Sequence, residues 1–271
     1  MNKTKTVIIF LLLPLIFAGC LQVETTMKVN KDGSGTINEK VLFSKTFVKM
    51  LREFTQAFQD STSTEEFTIF NDEDILNDAK DYGDNVKYVS HEKIDNENWE
   101  GYQVIFSFDD VTKVKLSPDQ DSKLDLEDEM AESDEEQDYY FFRFVKGDTP
   151  QLIIDRPDIE LNGEIKMDSD SLQSEKSDEE EGEEFLQMIQ GMKIDIAVEV
   201  EGEIESTNAT YVDGSRVTLF QMDFSEMMKN KEAFKEFKNN EPKNIDELKL
   251  YLDKLSGLKI EVEKPITIKF E

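Results

Sequence analysis

The chain has 271 residues, and its 31 Lys and Arg against 61 Asp and Glu give a formal net charge of −30. That balance excludes the basic surface on which nucleic-acid binding depends, while 38% hydrophobic residues, including 19 Phe and 10 Met, suffice for packed cores beneath an acidic exterior. One Cys and one His are too few for a disulfide framework, a zinc site of the usual Cys/His kind or most nucleophilic triads.

Asn2-Lys3-Thr4-Lys5 is a short basic opening, and Thr6 to Ala18 is a run of thirteen residues, almost all apolar, with the shape of a secretory signal. It is shorter than the about 20 residues that span a bilayer. Phe17-Ala18-Gly19-Cys20 puts two small residues directly before the sole cysteine. This resembles the lipobox of bacterial lipoproteins, with Phe17 where an aliphatic residue is usual. The resemblance implies that residues 1–19 are a signal peptide cut by signal peptidase II between Gly19 and Cys20. It also implies that Cys20 carries a diacylglyceryl thioether, with acylation of the new amine as a further step. Two or more acyl chains anchor stably where one is marginal, so the expected location is the extracytoplasmic face of the cell membrane.

Leu21, Val23, Thr25, Met27 and Val29 alternate with polar residues, which predicts a half-buried strand starting directly after the anchor. Asp32-Gly33-Ser34-Gly35 supplies a turn, and Ile37, Val41 and Phe43 mark the returning strand. Ser44 is the expected cap of a helix with Phe47, Met50, Leu51, Phe54 and Phe58 on one face, and a second helix starts near Asn71. Val86–Ile94 and Trp99–Phe108 read as a hairpin around Asp95-Asn96-Glu97-Asn98, pointing to an antiparallel sheet.

Asp119 to Asp138 holds eleven acidic residues in twenty and reads as a solvated insertion. Strand character resumes at Tyr139–Val145 and Leu152–Ile154. A second acidic region follows at 168–184, and a clear strand at Ile194, Ile196, Val198 and Val200. Asp213-Gly214 turns the chain into a strand ending near Phe224. Two helices come next, one using Met227, Met228, Phe234 and Phe237, the other capped by Asn244 with Gly257 as its stop. Leu258–Phe270 closes as a strand bent at Pro265, which favours an edge or a break into two short strands. The expected fold is therefore α+β, with antiparallel sheets, packed amphipathic helices and acidic loop insertions. Residues 20–224 form its lipid-anchored body, and residues 225–271 are a helical C-terminal part packed on the same domain.

Cys20 followed at once by a strand, the Asp32-Gly33-Ser34-Gly35 turn, Trp99-Glu100-Gly101-Tyr102 and Thr207-Asn208-Ala209 together resemble LppM-type bacterial lipoprotein domains. The resemblance covers most of 20–224 and implies an α+β domain, without supplying a catalytic residue.

Candidate chemistry is sparse. No nucleophile elbow, zinc-protease helix or phosphate-binding loop occurs, and His91 reads as a surface strand residue. Asp119, Asp121, Asp125, Glu127 and Asp128 offer oxygen ligands but lack the central Gly of a calcium loop, so diffuse counterion attraction is expected and no metal site. Asn208-Ala209-Thr210 matches a glycosylation acceptor by coincidence. The reading is a non-enzymatic binding or interaction module without cofactor, whose partner is a wall component, another envelope protein or a cationic molecule. The alternative is a carrier of a lipophilic ligand; a carboxylate-dependent hydrolase is the remaining possibility. An extended tether from Cys20 to Val23 reaches only about 10 Å, so the domain sits on the headgroups. Charge repulsion then favours acidic insertions that point away from the bilayer.

Overall fold

The computed structural model describes residues 21–58, 70–118, 139–159, 191–240 and 242–271. Cys20 with its preceding motif, and both acidic insertions, lie outside them. Among the described residues, strands dominate and form two sheets, with few and short helices.

The large sheet begins with β1 (Leu21–Val29) and β2 (Gly35–Ser44), paired antiparallel from Leu21 opposite Phe43 to Val29 opposite Gly35. It continues through β4 (Trp99–Phe108) to β3 (Val86–Asp95), the predicted hairpin, with β3 at the edge. On its other side β1 pairs with β8 (Lys193–Val200), then β11 (Arg216–Asp223), flanked by β10 (Val212–Asp213) and β12 (Leu258–Ile260). The small sheet has the order β5 (Lys115–Leu116), β6 (Tyr140–Val145), β7 (Gln151–Asp155), β13 (Ile266–Phe270), β9 (Ile204–Thr207).

One pairing departs from the antiparallel expectation. β1 and β8 run parallel, Gln22 opposite Lys193 and Val29 opposite Val200, which makes the large sheet mixed. Parallel neighbours need a long crossover, and here the crossover is everything from β2 to residue 191. Period-two alternation in each strand carries no information about that direction.

The alternation does decide which side faces the core. Val23, Met27, Ile37, Val41, Val104, Phe106 and Val198 of the large sheet pack with Leu152, Ile154, Ile266, Ile268 and Phe270 of the small one in a single cluster. The main core is thus closed chiefly by a second sheet, where packed amphipathic helices were expected. Helix α1 (Lys45–Phe58) adds Phe47, Val48 and Leu51, and its first turn is capped as predicted, with Ser44 Oγ accepting from the Phe47 amide at 3.3 Å. Helix α2 (Asp72–Asn77) contributes Ile75.

A second cluster is built by the C-terminal helices and β12. Helix α3 (Phe224–Met227) and helix α4 (Lys231–Asn239) stand where one helix was expected, separated at Asn230, whose side chain accepts from the Ala233 amide at 3.1 Å and starts a new helix. Helix α5 (Ile245–Leu252) is capped by Asn244 as predicted. Gly257 is not its stop: the helix ends at Leu252 with Asp253 still right-handed. Gly257 is instead a point of close approach, where a Cβ would lie 2.3 Å from the Asp223 carbonyl oxygen and 2.6 Å from the Met227 nitrogen. Pro265 falls between β12 in one sheet and β13 in the other, so the break is observed, while β13 lies between β7 and β9 and is not an edge.

Candidate functional site

The sequence-derived site is residue 20, and Phe17, Ala18, Gly19 and Cys20 all lie outside the described residues. What the structure describes is where the chain goes next. Leu21 is buried and already paired, in a strand with neighbours on both sides. The register places the start of β1, the end of β2, the β3–β4 turn and the start of β8 at one end of the large sheet. This end carries paired charges, Lys45 with Asp95 at 2.5 Å and Arg52 with Glu100 at 3.0 Å. The opposite end gathers Asp32, Asp109, Asp110, Glu201 and Glu203 around the β1–β2 turn and the residues bonded to it. No helix among the described residues is long and apolar enough to cross a membrane.

The parallel pairing has a second effect. Gln22 Nε2 donates to the Gly191 carbonyl at 3.3 Å, so the second acidic segment rejoins the fold beside the first residues of β1.

The most unusual polar group is Glu39, which is fully buried on the core face of β2. Its carboxylate accepts from the Tyr82 hydroxyl and, at 3.4 Å, from the Tyr102 hydroxyl, which also reaches Asp78 at 3.3 Å. Burial, and then the Glu39 charge, push both phenols above the ordinary tyrosine range. Sequence alternation held the signal for Glu39, because it shares parity with Ile37 and Val41, but the strand was read from its apolar residues alone. Glu261 is a second buried carboxylate, accepting from the Thr210 amide at 2.5 Å, the Thr210 hydroxyl at 3.2 Å and the Glu263 amide at 3.1 Å. No periodicity marked it, since it follows β12 in irregular chain.

On the other face of the large sheet, charges form a ladder across strands. Glu24 lies between Lys193 at 2.5 Å and Lys40 at 3.8 Å. Arg216 donates to Thr26 at 2.9 Å, pairs with Asp195 and sits 3.7 Å from Glu199. Burial is the largest influence on Asp195 and raises it, despite Arg216 and Lys193. For Glu24 the burial effect is outweighed by Lys193, Lys40 and Arg216, which hold its carboxyl below the usual range. We expect Arg216→Met to destabilise the protein by about 2 kcal/mol at neutral pH, because it takes from buried Asp195 its directly paired cation and leaves only the weaker influence of Lys193. An acid raised in the folded state is relieved as pH falls through that raised value towards the ordinary aspartate range. Urea unfolding from pH 7 to pH 4 should therefore show the deficit shrinking; a constant deficit would contradict the assignment.

The short motifs behind the family resemblance have structural employment. Asp32 Oδ1 accepts from the Ser34 amide at 2.9 Å and hydroxyl at 2.6 Å, closing the β1–β2 turn. Asn208 accepts from the Thr267 amide at 2.7 Å and donates to the Pro265 carbonyl at 3.0 Å, bracing the start of β13. His91 lies half-buried on β3 with Nδ1 at 2.9 Å from the Tyr88 hydroxyl. Among the described residues no group of His, Cys, Asp and Glu is arranged to hold a metal; the acidic run at 119–128 lies outside them.

No protein-family model and no curated protein matches the chain. Among solved structures, the folded domain of Mycobacterium tuberculosis LppM, determined by NMR, shows a weak likeness covering 77% of this chain and 85% of that one, at 11% identity and a TM-score of 0.32.

Proposed function

We propose that this protein is an envelope lipoprotein, held on the extracytoplasmic face of the membrane by a diacylglyceryl group on Cys20 and acting as a binding or interaction module. The observation that carries the reading is the adjacency of the Phe17-Ala18-Gly19-Cys20 motif to Leu21, the first residue of a strand inside the large sheet. A lipid on residue 20 is then coupled to the rigid body with no stalk between them. Its anchor end rests on the headgroups and its faces stand available to an envelope protein or wall component. A role without catalysis is supported by the two most unusual carboxylates, Glu39 and Glu261, which are fully buried and hydrogen-bonded to the fold.

Labelled palmitate fed to the source cells tests the anchor. The wild-type chain should be labelled and partition into detergent, and Cys20→Ser should take up no label and keep its N-terminal segment. Equal labelling of both, or of neither, would refute the lipid assignment.

A further inference from the structure

The outer face of the small sheet presents two aromatic rings beside groups that both donate and accept hydrogen bonds. Phe141 of β6 is the one exposed phenylalanine among the described residues, at 54%. Its chain neighbours Tyr140 and Phe142 are buried, so Phe141 points away from the core. Tyr139, two residues earlier, is half-buried, and its ring centroid lies 6.1 Å from that of Phe141 with the planes inclined by 58°. Lys115 of β5 stands opposite Phe141 and places Nζ 4.0 Å from the Tyr139 centroid, a cation–π contact that steadies the ring.

The polar groups beside the rings are mixed in sign. Arg143 and Asp155, on adjacent strands, are joined by hydrogen bonds of 2.8 and 3.1 Å in a forked pair. A guanidinium has five N–H donors and a carboxylate about four acceptor sites, so the pair keeps both kinds to offer a ligand. Gln151, opposite Lys269 on β13, adds an amide, and Ser206 of β9, on the other side of Lys269, adds a hydroxyl. Exposed Glu205 lies at the β9 bulge beside Lys269, with Glu203 and Glu271 at the same edge, so the face selects no one sign of charge.

We propose that this face binds a neutral wall glycan strand with equatorial linkages, which leave the C–H faces of its sugars flat and open. A pyranose has an apolar face that stacks on an aromatic ring, and each hydroxyl on its rim both donates and accepts, as Arg143, Asp155 and Gln151 together require. Rings inclined to one another suit successive units of a twisted strand. Mixed charge removes the attraction on which a polyphosphate or an acidic peptide would depend. Size argues against a folded partner: the face measures about 20 Å across its five strands and about 17 Å along β6, under half of the about 800 Å² that each partner buries in a standard protein interface. The proposal rests on the reading of the protein as a binding module and deepens it by naming the ligand class and the face; it is independent of lipid attachment to Cys20.

The test is isothermal titration of the full-length chain with chitohexaose, a neutral strand of N-acetylglucosamine. The detergent is octaethylene glycol monododecyl ether, because a maltoside is itself a sugar. Chitohexaose should bind, and the binding should not change with added salt. Phe141→Leu keeps the apolar bulk and loses the ring, and should weaken binding about tenfold. Phe141→Tyr keeps a ring and should bind as the wild type does. Both variants should melt at the wild-type temperature, because the side chain is exposed. Absence of binding, equal binding by Phe141→Leu and the wild type, binding that fades with salt, or equal uptake of an oligo-glutamate peptide would overturn the proposal. Failure of palmitate labelling would strike the anchor alone, and a labelled protein that ignores chitohexaose would strike this site alone.

Discussion

Replacing Tyr82 with Phe should lower the unfolding free energy by about 2 to 3 kcal/mol at neutral pH, a fall in melting temperature of about 5 to 10 °C. The cause is the company Tyr82 keeps. Glu39 is fully buried, and the Tyr82 hydroxyl is one of the donors that satisfy its carboxylate. Phenylalanine fills the same space and removes that donor, leaving a charged acceptor inside the core short of a hydrogen bond. The penalty comes from the group left behind, so removing both partners should cost less than removing one. Tyr82→Phe combined with Glu39→Leu is therefore expected to be more stable than Tyr82→Phe alone. A double variant that loses the sum of both singles would show that the two residues act independently.

The same cluster should make the fold lose stability at alkaline pH. Burial first, then the charge of Glu39, raises the Tyr82 phenol, and burial with Glu39 and Asp78 raises that of Tyr102. Unfolded tyrosines ionise near pH 10, and the folded ones hold their protons well beyond it. Below about pH 10 both states are protonated and stability is unaffected; above it the unfolded chain alone gives up protons and is favoured. Urea unfolding between pH 8 and pH 11 should show a plateau and then a fall, shallower in Tyr82→Phe.

Gly101→Ala should be at least as damaging, with an expected loss of about 3 kcal/mol or failure to fold. Gly101 lies in β4 opposite Leu42, and a Cβ there would sit 2.0 Å from the Val41 carbonyl oxygen and 2.9 Å from Leu42 Cα. Both are backbone atoms of the neighbouring strand, so no side-chain rotation can relieve the clash. β2 and β4 would have to separate close to the point where β2 hands the chain to α1. A soluble variant with an unchanged melting temperature would mean that the strands can part there without cost.

Much of this fold was legible because alternation is a direct imprint of a sheet with one buried side. β1, β2, β3, β4 and β8 were readable from Val23, Ile37, Phe106 and Val198 and their polar neighbours. Three things were not. The direction of β8 relative to β1 is settled by a crossover longer than any local pattern. The small sheet, which covers the core, depends on two-residue β5 and on β13, whose separation from β12 was visible only as Pro265. Glu39 follows the apolar parity yet is charged, and its tyrosine partners lie far along the chain in β4 and just before β3. The motif at Cys20 is a linear string that only sequence offers, and it lies outside the described residues.

That motif and the register of β1 combine in one geometrical claim, that the β3–β4 turn end of the large sheet rests on the bilayer and the β1–β2 turn end points away. The nine residues of β1 separate the two ends by about 25 Å. Nanodiscs bearing a gadolinium chelate on the lipid headgroups, loaded with the lipidated full-length protein, give the most direct reading through paramagnetic broadening. The account predicts strong broadening at Asn96, Asn98 and Lys193 and little at Ser34, Gly35 and Asp110. Uniform broadening, or the reverse gradient, would contradict it.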